Sequence, residues 1–70
     1  MLRVEYEART RGIPFTYIAS ACGVSKSLVS RVVRGNEKPY PKLRDGIAVA
    51  LDWPLDQAAT LFEEIEIGGE

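Results

Sequence analysis

Apolar residues recur along this chain at intervals of three and four, the spacing that gathers them on one face of an α-helix. From about Phe15 to Cys22, the residues Phe15, Ile18, Ala19 and Cys22 share an inner face, leaving Thr16, Tyr17 and Ser20 outward. Gly23 then stands where the chain must turn sharply, and glycine takes a left-handed backbone there without steric penalty. Ser25 follows as a good N-cap, because its hydroxyl accepts from a free backbone N–H. On the next helix, at about 100° per residue, Leu28, Val29, Val32 and Val33 fall in one arc. Lys26, Ser27, Ser30, Arg31 and Arg34 fall in the opposite arc. Gly35 is the stop signal.

The flanking segments predict three more helices. The first covers about residues 2–11, with Leu2, Tyr6 and Ile13 near one face and Val4 and Ala8 off it. Gly12 ends it, and Ile13-Pro14 makes an extended entry to the next helix. After the polar loop RGNEKPYP, a fourth helix runs from about Pro41 to Leu51. Pro41 suits its first turn, and Leu43, Ile47, Ala50 and Leu51 cluster on one side. Asp52-Trp53-Pro54 breaks the chain. A fifth helix starts at Pro54 or Leu55, with Leu55, Ala58, Ala59 and Phe62 at helical spacing. Trp53 is read as a core anchor or helix staple. The tail EEIEIGGE alternates acid and isoleucine, which fits either a short strand pairing with its copy in a second subunit or the frayed end of the fifth helix. The expected organisation is therefore all-α, with one five-helix domain over residues 1–63 and an acidic tail over 64–70.

Seventy residues give one domain with a small core and marginal stability alone. Hydrophobic content of 46% places the chain among globular proteins. No apolar run approaches a membrane span, and the charged N-terminus MLRVEYEARTRG lacks the apolar stretch of a signal peptide. A cytoplasmic protein is expected. The single Cys22 forms no internal disulfide and reads as a buried small hydrophobe. With no His and one Cys, a metal site is poorly supplied. No paired acids or Gly-rich phosphate loop suggests catalysis, so neither an enzyme nor a cofactor is expected.

The net charge of −1 hides a strong asymmetry. Residues 1–44 hold all nine Lys and Arg against three acids (Glu5, Glu7, Glu37), a net of +6. Residues 45–70 hold seven acids and no base. Such polarity marks an interaction surface, and the positive half suits phosphates. The acidic half suits a surface facing away from such phosphates, or a basic partner.

The stretch FTYIASACGVSKSLVSRVVR thus reads as two helices around a tight glycine turn. Such a unit places its second helix in a DNA major groove, and here that helix has no acid on its polar face between Lys26 and Arg34. The runs IASACGVSKSLVSRVVRGNEKP and IAVALDWPLDQAATLF resemble the lambda-repressor-like fold, and most of all the Cro and XRE-type regulators of phages and bacteria. The resemblance covers about residues 13–62. The run GVSKSLVSRVVRGNEK also resembles the headpiece of LacI-type repressors. Those headpieces continue into a hinge helix, whereas a fifth apolar-striped helix is expected here. Phe15 and Pro14 depart from the Gln and Thr that many Cro/XRE members carry at the start of the second helix. Arg44 stands where the fourth helix is usually apolar.

The resemblance implies a compact five-helix domain with its helix-turn-helix at helices 2 and 3, acting as a sequence-specific regulator of transcription on double-stranded DNA. Ser25, Lys26, Ser27, Ser30 and Arg31 match positions that reach base edges or nearby backbone. Lys and Arg donate to guanine O6 and N7, so Lys26, Ser27 and Arg31 are the expected sequence readers. Thr16, Tyr17, Arg34, Asn36, Lys38 and Lys42 are candidates for phosphate contacts, which fix register but read no sequence. A homodimer on a palindromic operator is expected, with Leu61, Phe62, Ile65 and Ile67 as apolar interface candidates and no small-molecule effector. Two other functions use the same features: a DNA-bending, excisionase-like directionality factor, and a protein-binding module such as an antitoxin.

Overall fold

The computed structural model describes residues 1–66; Ile67 and the three residues after it lie outside the described part. Four α-helices follow one another: α1 (Arg3–Thr10), α2 (Phe15–Cys22), α3 (Lys26–Val33) and α4 (Pro41–Ala50). A 3-10 helix, Leu55–Phe62, completes the order. Beyond one isolated bridge between Leu2 and Glu64, the described residues form no strand. No helix among them is long and apolar enough to cross a membrane.

All four α-helices end in the same way. A residue at the C-cap (α2) or just past it (α1, α3, α4) adopts a left-handed backbone and donates to a carbonyl three residues back, while its successor donates to one five residues back. Gly23 (φ 70°) donates to the Ser20 carbonyl at 3.3 Å, and Val24 donates to Ala19 at 3.0 Å. Gly12 and Gly35 repeat the pattern, through Ile13 to Ala8 and Asn36 to Arg31. Asp52 (φ 57°) does so after α4, with Trp53 donating to Ala48 at 2.8 Å. At Gly23 no neighbour lies within 4 Å of an added Cβ, so it is the backbone angle and not crowding that calls for glycine there. Each motif satisfies orphan carbonyls and reverses the chain within a few residues, which lets four short helices fold back on one another.

The core takes one face from each element. Ile18, Val29, Val32, Val33, Ile47, Leu51 and Leu61 are fully buried, joined by Val4 from α1. The inner faces of α2, α3 and α4 are those expected from the spacing, with Ala48 buried beside Leu43 and Ile47 and with Ala50 at the core margin. Helix α1 differs. Its buried face is Val4 (0%) and Ala8 (1%), while Tyr6 is 38% exposed. Of the expected Leu2–Tyr6–Ile13 face, Leu2 and Ile13 do pack partly buried against the core, but they form no continuous helical face with Tyr6, because Leu2 is the N-cap and Ile13 lies beyond the left-handed Gly12. Neither residue keeps the phase of a continuous helix. The true face is an i,i+4 pair of small residues packed towards the 3-10 helix. The flanking acids of α1 pair one turn on, Glu5 with Arg9 at 2.6 Å and Glu7 with Arg11 at 3.0 Å.

The fifth element also departs from expectation. It is 3-10 rather than α, broken at Gln57 (φ −118°, ψ 15°). Thr60 Oγ1 and the Trp53 indole N–H both donate to the Gln57 carbonyl, at 2.7 and 3.1 Å, which diverts it from α-helical pairing. Three residues per turn then put Ala58 and Leu61 inside. Leu55 is 57% exposed and Ala59 is exposed, so the expected Leu55–Ala59 stripe does not form. Trp53 packs partly buried against the core. The Arg11 guanidinium lies over its ring, 5.6 Å from the centroid, and donates to the Leu51 carbonyl at 2.5 Å. One side chain thereby ties the end of α1 to the end of α4.

The segment after the 3-10 helix is extended at Glu63. It pairs with the chain's own first residues: the Arg3 N–H donates to Glu63 and the Ile65 N–H to Met1, both at 2.9 Å.

Candidate nucleic-acid interface

Helix α3 carries the candidate site, and its position is set from both ends. At the start, Ser25 Oγ accepts from the Leu28 N–H at 3.1 Å, the capping role its position predicts. The cap uses the oxygen as acceptor and leaves the hydroxyl proton to donate outward. Along its length, Val29, Val32 and Val33 lock the inner face into the core. The outer face is thereby fixed, with Lys26, Ser27 and Arg31 exposed and Ser30 half-buried. These four residues line a single shallow depression. The structure therefore brings together four of the five expected base readers; Ser25 sits at the helix start, outside that depression.

Arg31 is not alone there. Its Nε–H donates to Glu37 Oε1 at 2.9 Å, from the loop beyond Gly35. Glu37 is therefore the acid nearest to the helix face that read as acid-free along α3. The signal available in the sequence was an acid two residues past a helix-stopping glycine, where the chain doubles back on the last helical turn.

The expected phosphate contacts are exposed but dispersed. Thr16 and Tyr17 project from the outer face of α2, with Tyr17 55% exposed. Arg34 caps the end of α3, and Asn36 and Lys38 follow in the loop. Lys38 borders a hollow with Leu2, Val32, Pro39 and Phe62. Lys42, in the first turn of α4, borders a different hollow, shared with Gly23, Val24, Tyr40 and Cys22. The two lysines thus flank the loop on separate surfaces. Tyr40, 51% exposed between them, is an aromatic hydrogen-bonding group that helical spacing does not single out, because it lies in the loop.

Ion pairing sorts the cations. Arg9, Arg11, Arg31 and Arg44 each face a carboxylate within 4 Å. Lys26, Arg34, Lys38 and Lys42 have no such partner among the described residues. All four lie on α3, in the loop after it or on the first turn of α4. Their charge is available to an external anion, whereas Arg9 and Arg11 are committed to intramolecular partners; Arg3, at the start of α1, also has no carboxylate partner among the described residues.

Other chemistry is sparse among the described residues. No group of three His, Cys, Asp or Glu residues could hold a metal ion there. Cys22 is partly buried, and that burial pushes its thiol pKa up, so it stays protonated near neutral pH.

Of the expected interface residues, Leu61 is fully buried within this chain and has no surface to offer a second copy. Turning three residues per turn points it inward. Phe62 and Ile65 are half-buried, and Ile67 lies outside the described residues. Val49 (65%) and Leu55 (57%) are instead the most exposed large aliphatic side chains described.

No protein-family model matches the chain, and no curated protein or solved structure matches it.

Proposed function

We propose that this chain is a sequence-specific double-stranded-DNA-binding regulator of lambda-repressor-like architecture, with α3 as its recognition helix. The observation that carries the reading is the outer face of α3. It holds Lys26, Ser27, Ser30 and Arg31 in one depression, follows a Gly23 turn from α2, and is followed in the chain by Arg34, Lys38 and Lys42, which like Lys26 have no carboxylate partner among the described residues. A helix held from behind by three valines presents its outer side chains as a rigid set. Such rigidity is what reading base edges demands.

In this reading Lys26, Ser27 and Arg31 contact bases, with Ser30 beside them and Ser25 at the groove edge. Arg34, Lys38 and Lys42 neutralise phosphates, while Thr16, Tyr17 and Asn36 hydrogen-bond to them. One module makes few contacts, so two copies on one duplex raise affinity through effective concentration. A two-fold homodimer reads half-sites about 34 Å apart. Val49 and Leu55, with the half-buried Phe62 and Ile65, are the apolar side chains available for that pairing. Repression by occluding a promoter is the simplest output.

The test is selection of DNA fragments by the protein, followed by binding to the selected duplex across a salt series. The three cations assigned to phosphates, Arg34, Lys38 and Lys42, set the magnitude. At about −0.9 per phosphate neutralised, log affinity falls against log salt with a slope of roughly −3 per bound protomer. On that duplex, Arg31→Ala costs about 1–3 kcal/mol and relaxes one base position, whereas Lys38→Ala weakens all sequences alike. Absence of binding to any duplex at low salt, or a flat salt response, overturns the reading.

A further inference from the structure

Arg31 is held at both ends. Its carbonyl accepts from the Asn36 N–H at 2.8 Å, and its guanidinium Nε–H donates to Glu37 Oε1 at 2.9 Å. The left-handed Gly35 makes both contacts possible by folding residues 36 and 37 back over the last turn of α3. The pair is open to solvent, with side chains 52% and 45% exposed, so it adds little to stability. An acid on a surface meant for phosphates also opposes binding by charge alone. Its presence there calls for a different gain.

We infer that Glu37 is a positioning residue for base recognition: its carboxylate orients Arg31 so that the guanidinium reads one G·C pair. This inference rests on the DNA-binding reading above. A guanidinium has five N–H donors in a planar fork. Glu37 uses the one on Nε. The two terminal nitrogens remain, and both present N–H groups on the side away from the backbone. That is the arrangement for a bidentate contact to guanine O6 and N7. Unrestrained, an exposed arginine samples many rotamers, and ordering it on binding weakens affinity by roughly threefold to tenfold. Glu37 removes part of that loss in advance. A phosphate takes a cation in many orientations, so the same restraint gives no advantage on non-cognate DNA, where the carboxylate only repels.

Two substitutions at residue 37 separate geometry from charge. Glu37→Gln keeps an oxygen that accepts from the Arg31 Nε–H and loses the charge. Glu37→Ala loses both. Binding is measured for the wild type, both variants and Arg31→Ala on the selected duplex, on the same duplex with each base pair changed in turn, and on non-cognate DNA. Arg31→Ala identifies the base pair that Arg31 reads. At that pair Glu37→Ala reduces discrimination by about threefold, while Glu37→Gln keeps most of it. Both variants bind non-cognate DNA more tightly than the wild type. If Glu37→Ala retains full discrimination at a pair that Arg31→Ala relaxes, the positioning role is wrong and base reading by Arg31 stands. Equal loss in Glu37→Gln and Glu37→Ala also overturns it, because charge and not geometry would then be responsible. If Arg31→Ala changes no base preference, or the wild type binds no duplex, base reading by Arg31 itself falls and takes this inference with it.

Discussion

Gly46 lies inside α4, where glycine costs about 0.8–1.0 kcal/mol relative to alanine. The structure supplies a reason for keeping it. A Cβ at residue 46 meets Cys22 Sγ at 3.0 Å and Cys22 Cβ at 3.7 Å. The second contact is ordinary, and the first is several tenths of an ångström too close. In Gly46→Ala the thiol must move. It has one side-chain torsion and an open hollow beside it, lined by Ala21, Val24 and Tyr40. Twisting away from its rotamer costs about 0.5–1.5 kcal/mol, which cancels the gain in helix propensity. Gly46→Ala alone therefore changes stability by no more than about 0.7 kcal/mol in either direction, the difference of those two terms. In a Cys22→Ala background the close contact is gone, and the same change stabilises by about 1 kcal/mol, or roughly 4–8 °C in Tm for a domain of this size. The coupling of about 1 kcal/mol exceeds the 0.3–0.5 kcal/mol scatter of independent sites. Urea denaturation of all four proteins, followed by far-UV circular dichroism and by Trp53 fluorescence, measures it. Additive effects would refute the reasoning, because α2 and α4 would then not approach closely at Gly46. The point bears on the site, since the seat of α2 against α4 sets how α3 is presented.

Three further outcomes follow from the contacts described. Ser25→Ala removes the acceptor for the Leu28 N–H and lowers stability by about 1 kcal/mol in the same denaturation assay; Ser25→Asp, which keeps an acceptor, restores most of it. Arg11→Ala breaks the tie to the Leu51 carbonyl and the stacking on Trp53, and costs about 1–2 kcal/mol. Arg9→Ala, which loses only an i,i+4 pair between the exposed Arg9 and Glu5, costs about 0.3–0.5 kcal/mol, so equal losses would remove Arg11 from its bridging role. Burial raises the Cys22 pKa above its ordinary value of 9.0, so the folded chain retains a proton that the unfolded chain releases. The stability this contributes is complete below about pH 9 and is lost as the pH rises through the folded value. Urea midpoints of wild type and Cys22→Ala should therefore converge above pH 9, and a gap that stays constant to pH 10.5 would contradict the burial effect.

What the sequence determined by itself is the local chemistry of α2, the turn and α3. The capping hydroxyl of Ser25, the left-handed Gly23 and the opposed arcs of α3 act over four residues or fewer, so spacing alone locates them. The same holds for the helix ends at Gly12 and Gly35, and for Pro41 in the first turn of α4. The exposed face with Lys26, Ser27, Ser30 and Arg31 was legible because three adjoining valines leave α3 only one way to face a core. Tertiary structure decided the rest. A wheel drawn for α1 weighs Leu2, Tyr6 and Ile13 above the smaller Val4 and Ala8, yet only packing chooses the face, and two of the three larger residues stand at or past the helix ends. The fifth element is 3-10 because Trp53 and Thr60 capture the Gln57 carbonyl, a contact no periodicity describes. It turns Leu61 inward and so removes it from any surface for a second copy. The Arg31–Glu37 pair likewise exists only once Gly35 has folded the chain back. Periodicity specifies which side chains share an arc, whereas which arc is buried, and which charges meet, is set by segments that touch only after the chain has closed on itself.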